Sequence, residues 1–269
     1  MRIVDIKEVQ TMLLDLMKKV HVFLNENGLK YYLLGGSALG AVRHGGFIPW
    51  DDDIDIGLFR EDYEKFLAIC DTFDSNYEIA NFKNAKKCNF GLTRIYIPNT
   101  YVDNPAIAKT KLDKRLYFDI FPLDNVPDDK DELRAFEKRI LKKKHLLALI
   151  DVHDHGNPKM IMLAKKVVSV GLSPFRNIIL RSFDKLLKKY RCAETICICS
   201  LCSQYSFKKQ VMLKEVYGQP TLHRFEDVEL YIPENVTQYL TTLFGEDYMI
   251  VPPVEKRRPG LAIYMTNED

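Results

Sequence analysis

Apolar residues recur along the first part of the chain at helical spacing: Ile6, Val9, Leu13, Met17, Val20 and Leu24 are separated by lysine, aspartate and glutamate. Asn27-Gly28 ends this face, and the β-type run Tyr31-Tyr32-Leu33-Leu34 follows. The run breaks at Gly35-Gly36-Ser37. Glycines there allow a sharp turn and close approach to a ligand, and Ser37 is expected to cap a short helix over 38–43. After the loop Gly45 to Trp50 comes Asp51-Asp52-Asp53-Ile54-Asp55-Ile56, in which continuous acids give way to alternation. Period two predicts a half-buried strand with Asp53 and Asp55 on one face and Ile54 and Ile56 on the other. Arg60 to Leu67 predicts a helix covering the sheet and closing near Asp74-Ser75-Asn76. Tyr77 to Asn81 and Leu92 to Ile97 predict strands, while Pro98-Asn99 and Asp103-Asn104-Pro105 mark loops. The pattern is that of an α/β (α+β) unit in which helices pack on a small mixed sheet.

From Asp128 the composition shifts toward helix formers and lysine. The segment Lys130 to Ile150 is helical in period, His153-Asp154-His155-Gly156-Asn157-Pro158 breaks it, and two further helical stretches run to Arg191. The two histidines read better as exposed linker residues than as ligands. Phe225 to Pro233 predicts a short β segment leading to a helix over 234–244. The expected division is a core over 1–127 and a mainly helical accessory region over 128–269, whose tail packs back on the core. A chain of 269 residues can bury such a core.

Composition narrows the function class. Hydrophobic residues make up 46% and charged residues 28%, as in globular domains, and a net charge of +2 gives no global field for nucleic acid. The first residues lack a signal-peptide core, and no apolar run approaches bilayer length, so a cytoplasmic location is expected. Six cysteines stand at 70, 88, 192, 197, 199 and 202. Their spacing fits no common zinc knuckle, and they are expected to be reduced and packed as small hydrophobes on a helix. Lys142-Lys143-Lys144, Lys165-Lys166 and Lys188-Lys189 fit solvated helix faces or contact with anionic lipid headgroups equally well.

The chemistry concentrates in 31–60. Two like charges on one strand face repel each other and are tolerated most easily with a cation between them, and hard oxygen ligands suit Mg²⁺ or Mn²⁺. A glycine turn before a helix favours phosphate. Together they point to a metal-dependent site for a phosphate-bearing substrate. A solvated acidic turn is the plain alternative, which Ile54 and Ile56 oppose by anchoring the segment in a core. An EF-hand lacks its glycine and its closing glutamate.

The run GGSALGAVRHGGFIPWDDDIDIG resembles the signature of the LicD-type phosphocholine transferases, a family that includes bacterial cell-surface enzymes and the catalytic domains of the fukutin-related proteins. The resemblance implies a nucleotidyltransferase-like fold in which Asp53 and Asp55 hold the metal and a third acid lies on a later strand. Asp119, within Leu116-Tyr117-Phe118-Asp119-Ile120-Phe121-Pro122-Leu123-Asp124, matches the third position. A lone buried charge there is costly, so Asp119 is expected to have a partner, either the shared metal or backbone amides at the sheet rim. Asp124, beyond Pro122, reads as a turn or capping residue. The implied substrates are CDP-choline, or a similar CDP-linked donor, and a glycan or lipid-linked glycan acceptor. Peripheral contact at the inner membrane face would suit such an acceptor. Gly35, Gly36 and Ser37 would hold phosphate, Arg43 would neutralise charge on the transferred group, and Trp50 would offer a ring to choline or simply pack. The basic cluster Lys256-Arg257-Arg258 resembles the family's tail, although Pro259-Gly260 follows where the family often has a histidine. These residues either contact nucleotide phosphates or form an exposed tail.

Overall fold

The computed structural model describes residues 1–82, 91–103, 113–150, 167–257 and 263–267. Its first elements follow the apolar period. A short strand β1 (Arg2–Val4) precedes α1 (Ile6–Glu26), which starts at a reciprocal cap: Asp5 accepts from the Glu8 N–H and Glu8 from the Asp5 N–H. Val9, Leu13, Met17, Val20 and Leu24 are buried, and Gly28, at φ +65°, turns the chain into β2 (Tyr32–Leu33). Next come α2 (Gly35–His44), β3 (Asp55–Phe59), α3 (Arg60–Ile69), β4 (Glu78–Ala80), β5 (Thr93–Tyr96), β6 (Thr100–Asp103) and β7 (Tyr117–Asn125).

These strands give a mixed sheet in the order β2-β3-β7-β5-β4, in which β3 and β7 are parallel and the other pairs antiparallel. Ile56, Ile120 and Thr93 lie in register and are fully buried. Thr93 is hydrogen-bonded to Tyr63 of α3 at 2.7 Å, so this helix covers the sheet as the sequence predicts. Asp103 ends a strand instead of marking a loop, while Asn104 and Pro105 lie outside the described residues.

Beyond 128 the predicted helices α4 (Lys130–Ile150) and α5 (Arg176–Leu187) pack on each other through a second apolar cluster that includes Phe136, Ile140 and Phe183. The His153–Pro158 break, Lys165, Lys166, Cys88, Arg258, Pro259 and Gly260 lie outside the described residues. The cysteine-rich stretch is not helical. Cys197–Cys199 forms strand β8, which pairs with the end of β7, and the described cysteines are free thiols. A three-residue run cannot separate helix from strand by period, and pairing with β7 decides the outcome. The single-turn α6 (Phe207–Gln210), β9 (Val211–Leu213) and the single-turn α7 (Lys214–Tyr217) follow. The hairpin β10 (Thr221–Phe225) and β11 (Val228–Ile232) leads to α8 (Val236–Phe244) and β12 (Ile263–Thr266), which pairs with both β1 and β6. Tyr239, Leu240 and Leu243 of α8 share one apolar cluster with α1 and the central sheet.

Asp124 is not a turn residue. It sits in β7, 1% exposed, with Oδ1 and Oδ2 accepting from Nε and Nη2 of Arg60 at 2.6 and 2.8 Å. Arg60 also reaches Glu64, which pairs with Lys188, so the network ties α3 and β7 to α5. Removing one partner leaves a buried charge uncompensated. Asp124→Ala is therefore expected to lower unfolding stability by about 3–5 kcal/mol in urea titrations. A loss below about 1 kcal/mol would show that the pair contributes no more than an exposed one does.

Candidate active site

The glycine turn is the start of a helix. α2 begins at Gly35, at φ +50°, and is preceded by Leu34 with no side-chain cap. Ser37 therefore lies inside the first turn, where its Oγ accepts from the Asp55 N–H at 2.9 Å in place of the expected cap. Leu34 N–H donates to the Asp55 carbonyl at 2.9 Å, so the start of β3 is held from both sides of the turn. The Gly35 N–H is engaged within the chain, donating to the Tyr239 hydroxyl at 2.9 Å. Gly36 lies close under the acid loop: a Cβ there would stand 2.7 Å from Oδ2 of Asp51 and push that carboxylate aside.

The acid loop is held from below by Gln10, a buried side chain on α1, whose Nε2 donates to the carbonyls of Ile48 and Asp51 at 3.2 and 2.9 Å. Ahead of it, the Gly45-Gly46 turn is clamped by Glu226 of the β10–β11 hairpin. Its N–H donates to the Gly45 carbonyl at 2.7 Å and its carboxylate accepts from the Phe47 N–H at 3.0 Å. A Cβ on Gly46 would fall 2.1 Å from that carboxylate and displace it from the Phe47 N–H.

β3 and β7 pair with Asp55 beside Asp119, and β5 pairs with β7 so that Arg94 stands on the other side of Asp119. One row across three strands thus reads Asp55, Asp119, Arg94. Arg94 Nε and Nη2 donate to the two oxygens of Asp119 at 2.8 and 3.3 Å, and the guanidinium lies 3.9 Å from the Tyr117 ring centroid. Asp119 needed a partner and has one in Arg94, a residue the sequence reading did not single out. Asp53 precedes β3, and its carboxylate interacts with those of Asp51, Asp52 and Asp119. Among the described residues the carboxylates of Asp51, Asp52 and Asp53 lie with ligand oxygens within 4.8 Å of one another, so the closest trio differs from the expected Asp53, Asp55 and Asp119. Asp51 and Asp52 join the site, and the hydroxyl of Tyr264 on β12 donates to Asp52.

The electrostatics reflect confinement of like charge. Burial, then the charge of Asp52, pushes Asp51 up from its ordinary 3.8 to about 6. Burial also raises Asp53 and Asp55 well above the usual carboxylate range, assisted by the neighbouring acids, with Arg94 opposing the rise at Asp55. Asp119 is raised by burial and held back by Arg94. Tyr205, whose ring lies over Gly35, is pushed up to about 12 by burial and then by Asp55, Asp53 and Asp51. A compact set of acids with raised affinity for protons suits a hard divalent cation, which would neutralise the same repulsion.

Two expected substrate contacts are otherwise engaged. Arg43 Nη1 donates to the Tyr248 and Ile250 carbonyls at 2.9 and 3.5 Å, which fastens the segment after α8. The Trp50 ring carries the guanidinium of Arg257, 4.5 Å from its centroid, so its cation-binding face is filled from within the chain. Among the basic faces, Lys144 donates to the Ser203 carbonyl and Lys188 pairs with Glu64 and Asp184. No helix among the described residues is long and apolar enough to cross a membrane.

A mixed sheet with a glycine-rich helix start and acids on adjacent strand ends defines a nucleotidyltransferase-like domain. Residues 28–147 match the family described as LicD/FKTN/FKRP, nucleotidyltransferase domain. It is 26% identical over 270 residues to the lipopolysaccharide cholinephosphotransferase LicD of Haemophilus influenzae, covering 96% of this chain and 97% of that one. A shorter stretch of 39 residues is 56% identical to the human ribitol 5-phosphate transferase FKRP, covering 14% of this chain and 8% of that one. An uncharacterised protein of Rickettsia prowazekii is 32% identical over 118 residues, 41% of this chain and 44% of its own length.

A raised carboxylate binds its proton more tightly in the folded than in the unfolded chain, so without divalent metal the contribution of Asp51 to stability falls as pH climbs from about 4 through 6. Asp51→Asn removes one such charge. In a chelator at pH 8 the variant is expected to be more stable than the wild type by roughly 3 kcal/mol, the equivalent of the Asp51 shift, and to match it below about pH 4. Equal melting temperatures at pH 8 would contradict the confinement.

Proposed function

We propose that this protein is a metal-dependent phosphotransferase that moves a phosphorylated headgroup, phosphocholine, from CDP-choline to a hydroxyl of a cell-surface glycan or its lipid-linked precursor, of teichoic acid or lipopolysaccharide type, releasing CMP. The coarser statement, transfer of a phosphate-linked headgroup to a glycan, is what the similarity to LicD and FKRP supports. The observation that carries the reading is the in-register placement of Asp55 beside Asp119, with Asp53 and Asp51 close enough to raise the proton affinity of Asp55.

A Mg²⁺ or Mn²⁺ ion held by Asp53, Asp55 and neighbouring acids would supply Lewis-acid neutralisation of the donor's diphosphate. The start of α2 receives a phosphate oxygen on the amides after Gly35, assisted by the helix dipole. The acceptor hydroxyl attacks the phosphorus bearing choline while that phosphorus loses its bond to the CMP oxygen. Its proton passes to a carboxylate. Asp119 suits this role, because Arg94 fixes its orientation while burial keeps it more basic than a free acid. Choline has to find an aromatic face other than the one of Trp50 that Arg257 covers, or displace Arg257.

The alternative with support in a named relative is transfer of a sugar-alcohol phosphate, since FKRP is a ribitol 5-phosphate transferase. A nucleotidyltransferase would leave the nucleotide on the acceptor, so product mass separates it from both.

Incubation with Mg²⁺ or Mn²⁺ and a panel of CDP-choline, CDP-glycerol and CDP-ribitol, following CMP release, tests the reading. CDP-choline is expected to turn over, and Asp53→Asn and Asp55→Asn to reduce the rate about 10³-fold with a cooperative melt retained. Unchanged turnover in Asp53→Asn would remove the site assignment.

A further inference from the structure

Next to Asp55 the chain beyond 128 closes a small opening of about 10 Å³, which is room for roughly one water-sized oxygen. Gly35 and Asp55 line it on one side, and Ser200, Ser203, Tyr205 and Gln210 on the other. The Ser203 hydroxyl accepts from the Tyr205 N–H at 3.2 Å and from Gln210 Nε2 at 3.0 Å, and the Ser203 carbonyl is pinned by Lys144 at 3.0 Å. Ser200 is 3% exposed, yet its Oγ has no hydrogen-bond partner among the described residues. An orphaned buried hydroxyl costs about 1–3 kcal/mol, and Ser200 is among the residues that line the opening.

Size and charge select the occupant. A trimethylammonium group is several times too large, and so is a phosphate. Phosphate would also meet the carboxylate of Asp55 with no cationic side chain in the lining. A hydroxyl fits, because it can donate to a carboxylate or amide oxygen and accept from the serine at once. Resting on the transferase reading above, we propose that this opening is a hydroxyl subsite. It takes one substrate hydroxyl against Ser200, Tyr205 and Gln210, and these residues discriminate between hydroxyl-bearing and methylated groups. The hydroxyl comes either from a polyol headgroup on the donor or from the acceptor sugar.

The test uses the full chain with Mg²⁺ and two variants. Ser200→Ala removes the hydroxyl and Ser200→Val fills the space. Titration calorimetry measures CDP-glycerol and CDP-choline, and CMP release from CDP-choline is followed with a panel of methyl glycosides as acceptors. If the donor headgroup supplies the hydroxyl, Ser200→Val weakens CDP-glycerol about tenfold and leaves CDP-choline unchanged. If the acceptor supplies it, both donors bind as before and KM for the stimulating glycoside rises about tenfold with kcat held. In either case Ser200→Ala unfolds no earlier than the wild type, since it deletes an orphaned group; clear destabilisation by Ser200→Ala would assign the hydroxyl to the fold and overturn the subsite. Wild-type-like donor binding and acceptor dependence in Ser200→Val would also overturn it, while leaving the transferase reading in place. A wild type that binds neither donor would remove both.

Discussion

Negative charge confined on adjacent strand ends is the constraint to which the surrounding structure answers. Asp55 and Asp119 are neighbours in a parallel pair because the apolar residues one position along, Ile56 and Ile120, must both face α3 and the core. A shift of one residue would turn both acids inward and both isoleucines out, so hydrophobic burial fixes the encounter of the two carboxylates. Two charges at such separations repel by several kcal/mol at the effective dielectric of a partly buried site. The fold answers with Arg94 on the same row, with the start of α2 beneath Asp51, and with raised proton affinities at the acids themselves.

Where local rules and tertiary demands agree, the residues can be read directly. The α1 face and the α3 cover follow from the period of 3.6. The acid–isoleucine alternation marks only the start of a strand: β3 begins at Asp55, runs through buried Ile56, Gly57 and Leu58, and leaves Asp53 in the loop ahead of it. Local rules fail where the deciding partner is distant in sequence. Ser37 has the chemistry of an N-cap, but the backbone it serves is that of Asp55, eighteen positions on. Asp124 follows a proline and looks like a turn, yet Arg60 draws it into a buried ion pair. Cys197–Cys199 is too short to show a period and becomes a strand because the edge of β7 is open there. The α/β class with helices on a mixed sheet is evident from the pattern, and the strands that the chain after 128 adds to it are not.

The acids of the site were visible as a motif, whereas the groups that shape them were scattered. Arg94 is one charged residue in a predicted strand, and nothing near it in sequence marks the carboxylate across the ladder. Tyr205, Tyr239 and Tyr264 come from a loop, a helix and a late strand. Each is an ordinary aromatic until the fold sets it beside Gly35 or the acid loop. Arg43 and Trp50 are the reverse case. Their place next to the motif suggested substrate contact, but Arg43 fastens the segment after α8 and Trp50 is stacked under Arg257.

This distribution separates two layers of the site. The stretch that matches the family, 28–147, contains the acid cluster, Arg94 and the glycine turn, which together are the parts able to grip and polarise a phosphate. The wall opposite is built from residues beyond it, Ser200 to Gln210, Tyr239 and Tyr264, and the similarity to LicD of Haemophilus influenzae runs through that region as well. Phosphate chemistry needs only charge and orientation, which a short strand pair can hold rigidly. Choosing among headgroups or acceptors needs a shaped surface with its own hydrogen-bond pattern, and such a surface requires more chain than a two-strand acid site provides. The strand β12 and helix α8 therefore do more than cover the sheet: by fixing Tyr264 on Asp52 and Tyr239 on Gly35, they make the layer of acids and glycine turn dependent on the correct docking of the layer that faces it.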